Sequence, residues 1–166
     1  MSVTKLGDKE VHTNGEIPAI GSIAPDFTLS DNKLQDVTLS SFRGSPVVLN
    51  IFPSIDTSTC AQSVREFNRR AAALSRTVVM CIAKDLPFAM RRFCAAEGID
   101  RVMTLSDFRS PEFGNDYHVQ MMDGGMRGLF ARVVIVIDEF GIIKHTEIVA
   151  SIGQEPNYEH ALKALI

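Results

Sequence analysis

Residues 47–60 read VVLNIFPSIDTSTC, a nearly continuous apolar run that ends at a proline and leads into polar residues. An apolar run of this kind is typical of a strand that is covered on both faces of its sheet. Pro53 ends the strand, because proline has no N–H to donate to a sheet ladder. Helical periodicity begins near Thr59 and places four apolar residues on one stripe: Val64, Phe67, Ala71 and Leu74. The segment therefore predicts a buried strand, a loop and a helix.

Strand and helix patterns alternate on both sides of this segment. Further strands are predicted at residues 27–29, 37–39, 78–83, 102–105, 132–137 and 142–149. Further helices are predicted at residues 87–97, 111–117 and 156–165. Proline suits the first helical turn and glycine the position after the last, as at Pro87 and Gly98. A Gly7-Asp8 turn between two alternating segments predicts an N-terminal β-hairpin.

This order of elements predicts a thioredoxin-like α/β fold, with a central mixed β-sheet flanked by helices. The helical crossovers after residues 52 and 83 imply parallel pairing of the strands that they join. The chain shows no internal repeat, no low-complexity segment and no linker. We therefore expect one domain over residues 1–166, with residues 1–25 as an N-terminal hairpin extension.

Composition excludes several classes of protein. Hydrophobic residues make up 45% and charged residues 22%, values typical of a soluble globular protein. A formal charge of -3 argues against a nucleic-acid partner, which would require a basic face. The longest aliphatic run, residues 133–137, is far too short to span a membrane. The polar N-terminus lacks the apolar core of a signal peptide, so a cytoplasmic location is expected.

Metal sites and structural disulfides are also unsupported. The four histidines are scattered, and neither CxxC nor HExxH occurs in the chain. Three widely spaced cysteines do not form the disulfide framework of a secreted protein. In a reducing cytosol, a disulfide between any of them would be transient and catalytic.

Cys60 lies where a strand-to-helix loop opens a helix, and this position has chemical consequences. A helix N-terminus presents unpaired N–H groups and a partial positive charge, which favour the thiolate over the thiol. Thiolate is the nucleophilic form of cysteine. Thr57 can direct its hydroxyl into the same pocket, where it can hydrogen-bond both a sulfur anion and a substrate oxygen. Pro53 would close one side of the pocket and limit the access of water.

The residues 53–60, PSIDTSTC, fit the PxxxTxxC signature of the peroxiredoxins. The chain resembles the bacterial thiol peroxidase subfamily of peroxiredoxins over nearly its whole length. The other similar stretches are the N-terminal hairpin, DLPFAMRRFCAAEG at 85–98 and MMDGGMRGLFARVVIVIDEFG at 121–141. The motifs at residues 49–60 and 121–141 are specific, whereas a TxxC spacing alone would be weak.

The resemblance implies an activity and a set of roles. Cys60 would attack the hydroperoxide, with Thr57 as its partner and Arg132 as the active-site arginine. Cys94 would act as the resolving cysteine and form a disulfide with Cys60, which thioredoxin or a similar dithiol protein would reduce. The family uses no metal or organic cofactor, is commonly a homodimer, and serves in defence against hydrogen peroxide and organic hydroperoxides.

Several residues also have a purely structural interpretation. Cys94 lies four residues after Met90 on a predicted helix, so core packing is an alternative to the resolving role. Cys81 lies in an all-apolar strand and is interpreted as a buried, inert thiol. Arg132, from the sequence alone, is as consistent with a surface arginine at a strand end as with a catalytic group.

Two features depart from the family pattern. His118 replaces a glycine that is common in the family, and it is interpreted as a surface or hydrogen-bonded histidine rather than a base. The loop at residues 121–126 is rich in methionine. Phe130 and this loop are interpreted first as packing residues. Alternatively, Phe130, Met121 and Met122 form an apolar entrance to the active site. Such an entrance would favour organic hydroperoxides as substrates.

Two alternative functions use a reactive cysteine on the same fold. A thioredoxin-like disulfide reductase requires CxxC at the helix start, and this chain has Thr57 where that motif needs its first cysteine. A redox sensor or interaction module on the same fold, without peroxide turnover, needs the same reactive thiol and remains open.

Overall fold

A computed structural model describes residues 1–166 and contains two β-sheets and four helices. The strands are β1 (Val3–Leu6), β2 (Lys9–His12), β3 (Thr28–Asp31), β4 (Asp36–Thr38), β5 (Val47–Ile51), β6 (Val78–Ala83), β7 (Met103–Ser106), β8 (Val133–Ile137) and β9 (Ile143–Ile148). The helices are α1 (Ser58–Ala71), α2 (Pro87–Glu97), α3 (Glu112–Tyr117) and α4 (Tyr158–Lys163). None of these helices is long and apolar enough to cross a membrane.

The main sheet has seven strands in the order β4-β3-β7-β6-β5-β8-β9. The pairs β5–β6 and β6–β7 are parallel, and α1 and α2 form the crossovers between them. The remaining pairs are antiparallel. The predicted mixed sheet of a thioredoxin-like fold is therefore confirmed, as is the parallel pairing across both crossovers.

Several predicted boundaries were wrong at the ends of elements. The second short strand stops at Thr38, because Leu39 begins a single 3₁₀ turn that runs to Phe42. The last helix begins at Tyr158 rather than at residue 156, because the Asn157 side chain caps it by accepting from the His160 N–H at 3.1 Å. These differences arise from local capping and turn geometry and leave the topology unchanged.

The sheet is covered on both faces, which explains the unbroken apolar run that predicted β5. Val47, Leu49 and Ile51 belong to a core cluster of 23 buried residues, whereas Val48 and Phe52 belong to a second cluster of 14 on the other face. The second cluster contains the α1 residues Cys60, Val64 and Phe67. With apolar contacts on both faces, this strand needs no polar alternation.

The N-terminal hairpin, formed by antiparallel pairing of β1 with β2, is joined to the segment after β9. The Lys5 N–H donates to the Ala150 carbonyl at 3.0 Å, and the Ile152 N–H donates to the Lys5 carbonyl at 2.8 Å. The Thr4 hydroxyl donates to the Val149 carbonyl at 2.7 Å. The hairpin therefore holds residues 149–152 beside the main sheet.

Candidate active site

Cys60 is the third residue of α1, in its first turn. Its side chain is fully buried. Thr57 caps the helix, since its Oγ1 accepts from the Cys60 N–H at 3.3 Å, and the same hydroxyl donates to the Ser54 carbonyl at 3.3 Å. Thr57 thus fixes the helix start beside the sulfur, and the remaining N–H groups of this turn favour a negative charge there.

Arg132 reaches Cys60 because of the strand pairing. β8 runs antiparallel to β5 with Val133 opposite Ile51, so the start of β8 lies beside the loop that follows β5. The guanidinium is 1% exposed, and its Nη2 donates to Cys60 Sγ at 3.4 Å. The Ile152 carbonyl accepts from Arg132 Nε at 3.0 Å and from Nη2 at 2.7 Å, which fixes the plane of the group.

The other terminal nitrogen of this guanidinium, Nη1, is buried and has no hydrogen-bond partner. Such an unpaired donor is costly unless a partner arrives, and a ligand at the site can supply one. Arg132, which the family resemblance assigned to the active site, therefore lies against the cysteine with one donor unused.

A groove of about 310 Å³ includes Thr57 and Arg132 in its lining, whereas the fully buried Cys60 lies behind them and is not part of the lining. The hairpin contributes Leu6 and Gly7, and the loop before β8 contributes Met126. Phe130 and Met121 are fully buried in the first core cluster, so their interpretation as packing residues is confirmed and the alternative of an apolar entrance is wrong for both. Met122 is 52% exposed but lies outside the groove lining. Periodicity could not reveal which methionine of this irregular loop faces the site.

Pro53 is buried two residues after the end of β5, with Phe52 between them. It is not among the residues that line the groove.

Another groove, of about 470 Å³, lies between the ends of α1 and α4 and contains none of the predicted site residues. No group of three or more His, Cys, Asp or Glu side chains is placed to hold a metal ion.

Cys94 is not brought to Cys60. It is 8% exposed on α2, with Sγ 3.8 Å from Thr104 Oγ1, and all three cysteines are free thiols with no two at disulfide distance. Burial raises the pKa of the Cys94 thiol, with a smaller opposing effect from Thr104. In this arrangement Cys94 is therefore a buried neutral thiol.

Cys81 lies in β6 and is fully buried. Burial raises its pKa to about 12, although the Asn50 amide donates to its sulfur at 3.6 Å. A thiol in this environment is not ionised at neutral pH, which agrees with its interpretation as an inert core residue.

Two residues of the site were missed by the sequence analysis. Asp85 accepts from the Ser54 hydroxyl at 2.7 Å and from the Ile55 N–H at 2.9 Å, and so holds the loop before Cys60. The position of Asp85 just after β6 could have indicated this contact. β5 and β6 are parallel, so the residues that follow their carboxyl ends lie at the same edge of the sheet. Ile152 contributes its backbone carbonyl, for which no side-chain pattern exists.

His118 lies away from this site, at the end of α3. Its φ of 55° is in the left-handed region, which explains why glycine suits this position. Its ring packs on Gly15, where an added β carbon would lie 2.5 Å from Nδ1. His118 Nδ1 has no hydrogen-bond partner, so the expectation of a hydrogen-bonded ring is not met at that nitrogen.

Comparisons with known proteins agree with this geometry. The Redoxin family profile matches residues 19–162. A thiol peroxidase of Mycobacterium tuberculosis is 52% identical over 165 residues, and one of Corynebacterium glutamicum is 47% identical over 165 residues, each match covering 99% of both chains. The crystal structure of a peroxiredoxin-like protein from Aquifex aeolicus superposes with a TM-score of 0.92 at 31% identity, covering 98% of this chain and 95% of that one. The chain therefore belongs to the redoxin family and, within it, to the thiol peroxidases of the peroxiredoxin type.

Proposed function

We propose that the protein reduces hydroperoxides with Cys60 as the nucleophile and Thr57 and Arg132 as the groups that bind and polarise the substrate. The observation that carries this proposal is the buried Arg132 guanidinium, which contacts Cys60 Sγ through Nη2 and leaves Nη1 without a partner. A peroxide oxygen in the groove would accept from Nη1. The family membership of the chain supports the same chemistry.

In the first step, the Cys60 thiolate attacks one oxygen of the hydroperoxide and the O–O bond breaks. The leaving oxygen takes a proton and departs as water or an alcohol, and the sulfur becomes a sulfenic acid. Negative charge moves from sulfur to the leaving oxygen during this step. Arg132 would be oriented for that charge in advance, because the Ile152 carbonyl fixes its plane. Thr57 would hold the substrate from the helix side.

In the second step, the Cys94 sulfur attacks the sulfenic sulfur, water leaves and a Cys60–Cys94 disulfide forms. Thioredoxin or a similar dithiol protein then reduces this bond by thiol–disulfide exchange. The groove suits both hydrogen peroxide and organic hydroperoxides, since Leu6, Met126 and Ile152 line it beside the polar groups. The proposal includes a homodimer in the cytoplasm, acting in antioxidant defence.

A peroxide-consumption assay with thioredoxin, its reductase and NADPH tests this function. The wild-type protein should consume many equivalents of peroxide, because the disulfide is recycled at every turn. Cys94→Ser should consume no more than about two equivalents with thioredoxin, one for sulfenic acid and one for its further oxidation, since no intramolecular disulfide forms. Consumption of a single equivalent by the wild type would instead indicate a redox sensor without turnover.

The second step should require local opening of the fold. A disulfide needs Cα atoms within about 7 Å of each other, and in the reduced form both sulfurs are buried and apart. Hydrogen exchange should therefore show lost protection around residues 54–62 and 88–97 after oxidation, with little change in β8. Equal protection in the reduced and disulfide forms would contradict the opening step.

A further inference from the structure

Asp85 connects the segments that carry the two proposed redox cysteines. It lies between β6 and α2, two residues before the start of α2 at Pro87. Its carboxylate reaches back to the loop before α1, where Oδ2 accepts from the Ser54 hydroxyl and Oδ1 from the Ile55 N–H. Hydrogen bonds to a charged acceptor are stronger than neutral ones. The loop before Cys60 is therefore held from the α2 side.

The contact at Ser54 continues to the reactive cysteine. The Ser54 carbonyl accepts from the Thr57 N–H at 3.2 Å and from the Thr57 hydroxyl at 3.3 Å. Thr57 Oγ1 in turn accepts from the Cys60 N–H at 3.3 Å. The Asp85 carboxylate is thus the first member of a chain of hydrogen bonds that ends at Cys60.

The second contact of Asp85 is made to a residue that is also anchored by its side chain. Ile55 is 1% exposed and lies in the core cluster that contains Cys60 and Met90 of α2. Its backbone is held by Asp85 and its side chain by apolar packing. When the loop opens, the hydrogen bond from the Ile55 N–H to Asp85 must break and the Ile55 side chain must leave its apolar contacts.

We propose that Asp85 is a positioning residue that sets how Cys60 sulfenic acid divides between disulfide formation and further oxidation, an inference that rests on the proposed function. In the closed loop, a second hydroperoxide adds an oxygen to the sulfur, which gives up two electrons. The O–O bond breaks and water or an alcohol leaves, so the product is sulfinic acid. In the opened loop, Cys94 forms the S–S bond and water leaves. The bonds of Asp85 stabilise only the closed loop.

Asp85→Asn tests this role because the amide keeps the size of the side chain but cannot accept both hydrogen bonds. The first step, measured by quenched single turnover, should slow about tenfold, since the loop is less well held. Disulfide formation should accelerate by about the same factor. The peroxide concentration that converts half of Cys60 to sulfinic acid, measured by intact mass, should rise at least about tenfold.

Two further variants separate positioning from other effects. Ser54→Ala keeps the negative charge of Asp85 and removes one of its two hydrogen bonds, together with the contact from the Asp56 N–H to Ser54 Oγ at 3.2 Å. Both rates should therefore shift in the same directions by smaller factors. Asp138→Asn is the matched control: Asp138 Oδ1 accepts from the Phe140 and Ile142 N–H groups, each at 2.9 Å, and lies at the opposite end of β8 from Arg132. This variant should leave both rates unchanged.

Opposite shifts in the two steps support the inference. A parallel loss in both steps would indicate general damage and would overturn the inference. Unchanged rates in both Asp85→Asn and Ser54→Ala would also overturn it. If Asp85→Asn does not fold, Ser54→Ala decides the question alone. A wild-type protein that consumes no peroxide contradicts the proposed function itself. If the wild type turns over normally, and the variants divide Cys60 sulfenic acid between disulfide and sulfinic acid as the wild type does, only the role of Asp85 is contradicted.

Discussion

Replacing Cys60 with serine should abolish peroxide reduction. A serine hydroxyl at this position has almost no alkoxide character at neutral pH and cannot form a sulfenic acid, so both proposed steps are lost. We expect peroxide consumption with thioredoxin to fall by more than about 10⁴-fold, the scale on which removal of a nucleophile acts. The protein should remain folded, because oxygen replaces sulfur in an otherwise unchanged site.

Cys81→Ser is the matched control for this experiment, since it removes another fully buried sulfur. It should retain most of the activity, because burial raises the pKa of Cys81 to about 12 and keeps the thiol neutral. Circular dichroism and thermal unfolding of both variants separate chemistry from folding. Substantial turnover in Cys60→Ser, or its loss in Cys81→Ser alone, would reassign the nucleophile.

Arg132→Ala should lower kcat/KM for peroxide by about 100- to 1,000-fold, the effect of removing one preorganised donor from a developing charge. The substitution also removes the cation 3.4 Å from Cys60 Sγ, so alkylation of Cys60 by iodoacetamide should slow. The measurements are steady-state kinetics and the rate of iodoacetamide labelling, with folding checked by circular dichroism. An unchanged labelling rate would contradict the electrostatic role.

Arg132→Lys is the informative partner of that variant. Lysine keeps the charge but has one ammonium group, which cannot hold the Ile152 carbonyl and reach both sulfur and substrate in the planar geometry of a guanidinium. We therefore expect the rate of alkylation to return toward the wild type, while kcat/KM recovers only in part. Full recovery of both would mean that charge alone is sufficient.

The sequence was most informative where local chemistry determines the structure. The apolar run at residues 47–52 predicted a strand covered on both faces, and Thr57 and Cys60 were placed correctly at a helix start. Pro87 and Gly98 marked the bounds of α2, which runs from Pro87 to Glu97 with Gly98 in the left-handed region. Each of these features is determined by residues that are close together in the sequence, so a short stretch of sequence is enough to predict it.

Features that depend on distant segments were less accessible. The contact between Arg132 and Cys60 spans 72 positions and requires the antiparallel pairing of β8 with β5. The loop at 121–126 has no period, so the burial of Met121 and the exposure of Met122 could not be separated. Ile152 contributes through its carbonyl, which every residue carries. Pairing register and irregular loops therefore set the limit of the prediction.

The attachment of the N-terminal hairpin has a consequence for the orientation of Arg132. The hairpin holds Ile152 through Lys5, and Ile152 holds Arg132. A thioredoxin-like sheet with its helices would suffice to place a cysteine at the start of α1. Fixing the arginine plane depends on residues outside that sheet. The hairpin therefore acts on the orientation of the guanidinium as well as on the packing of the sheet.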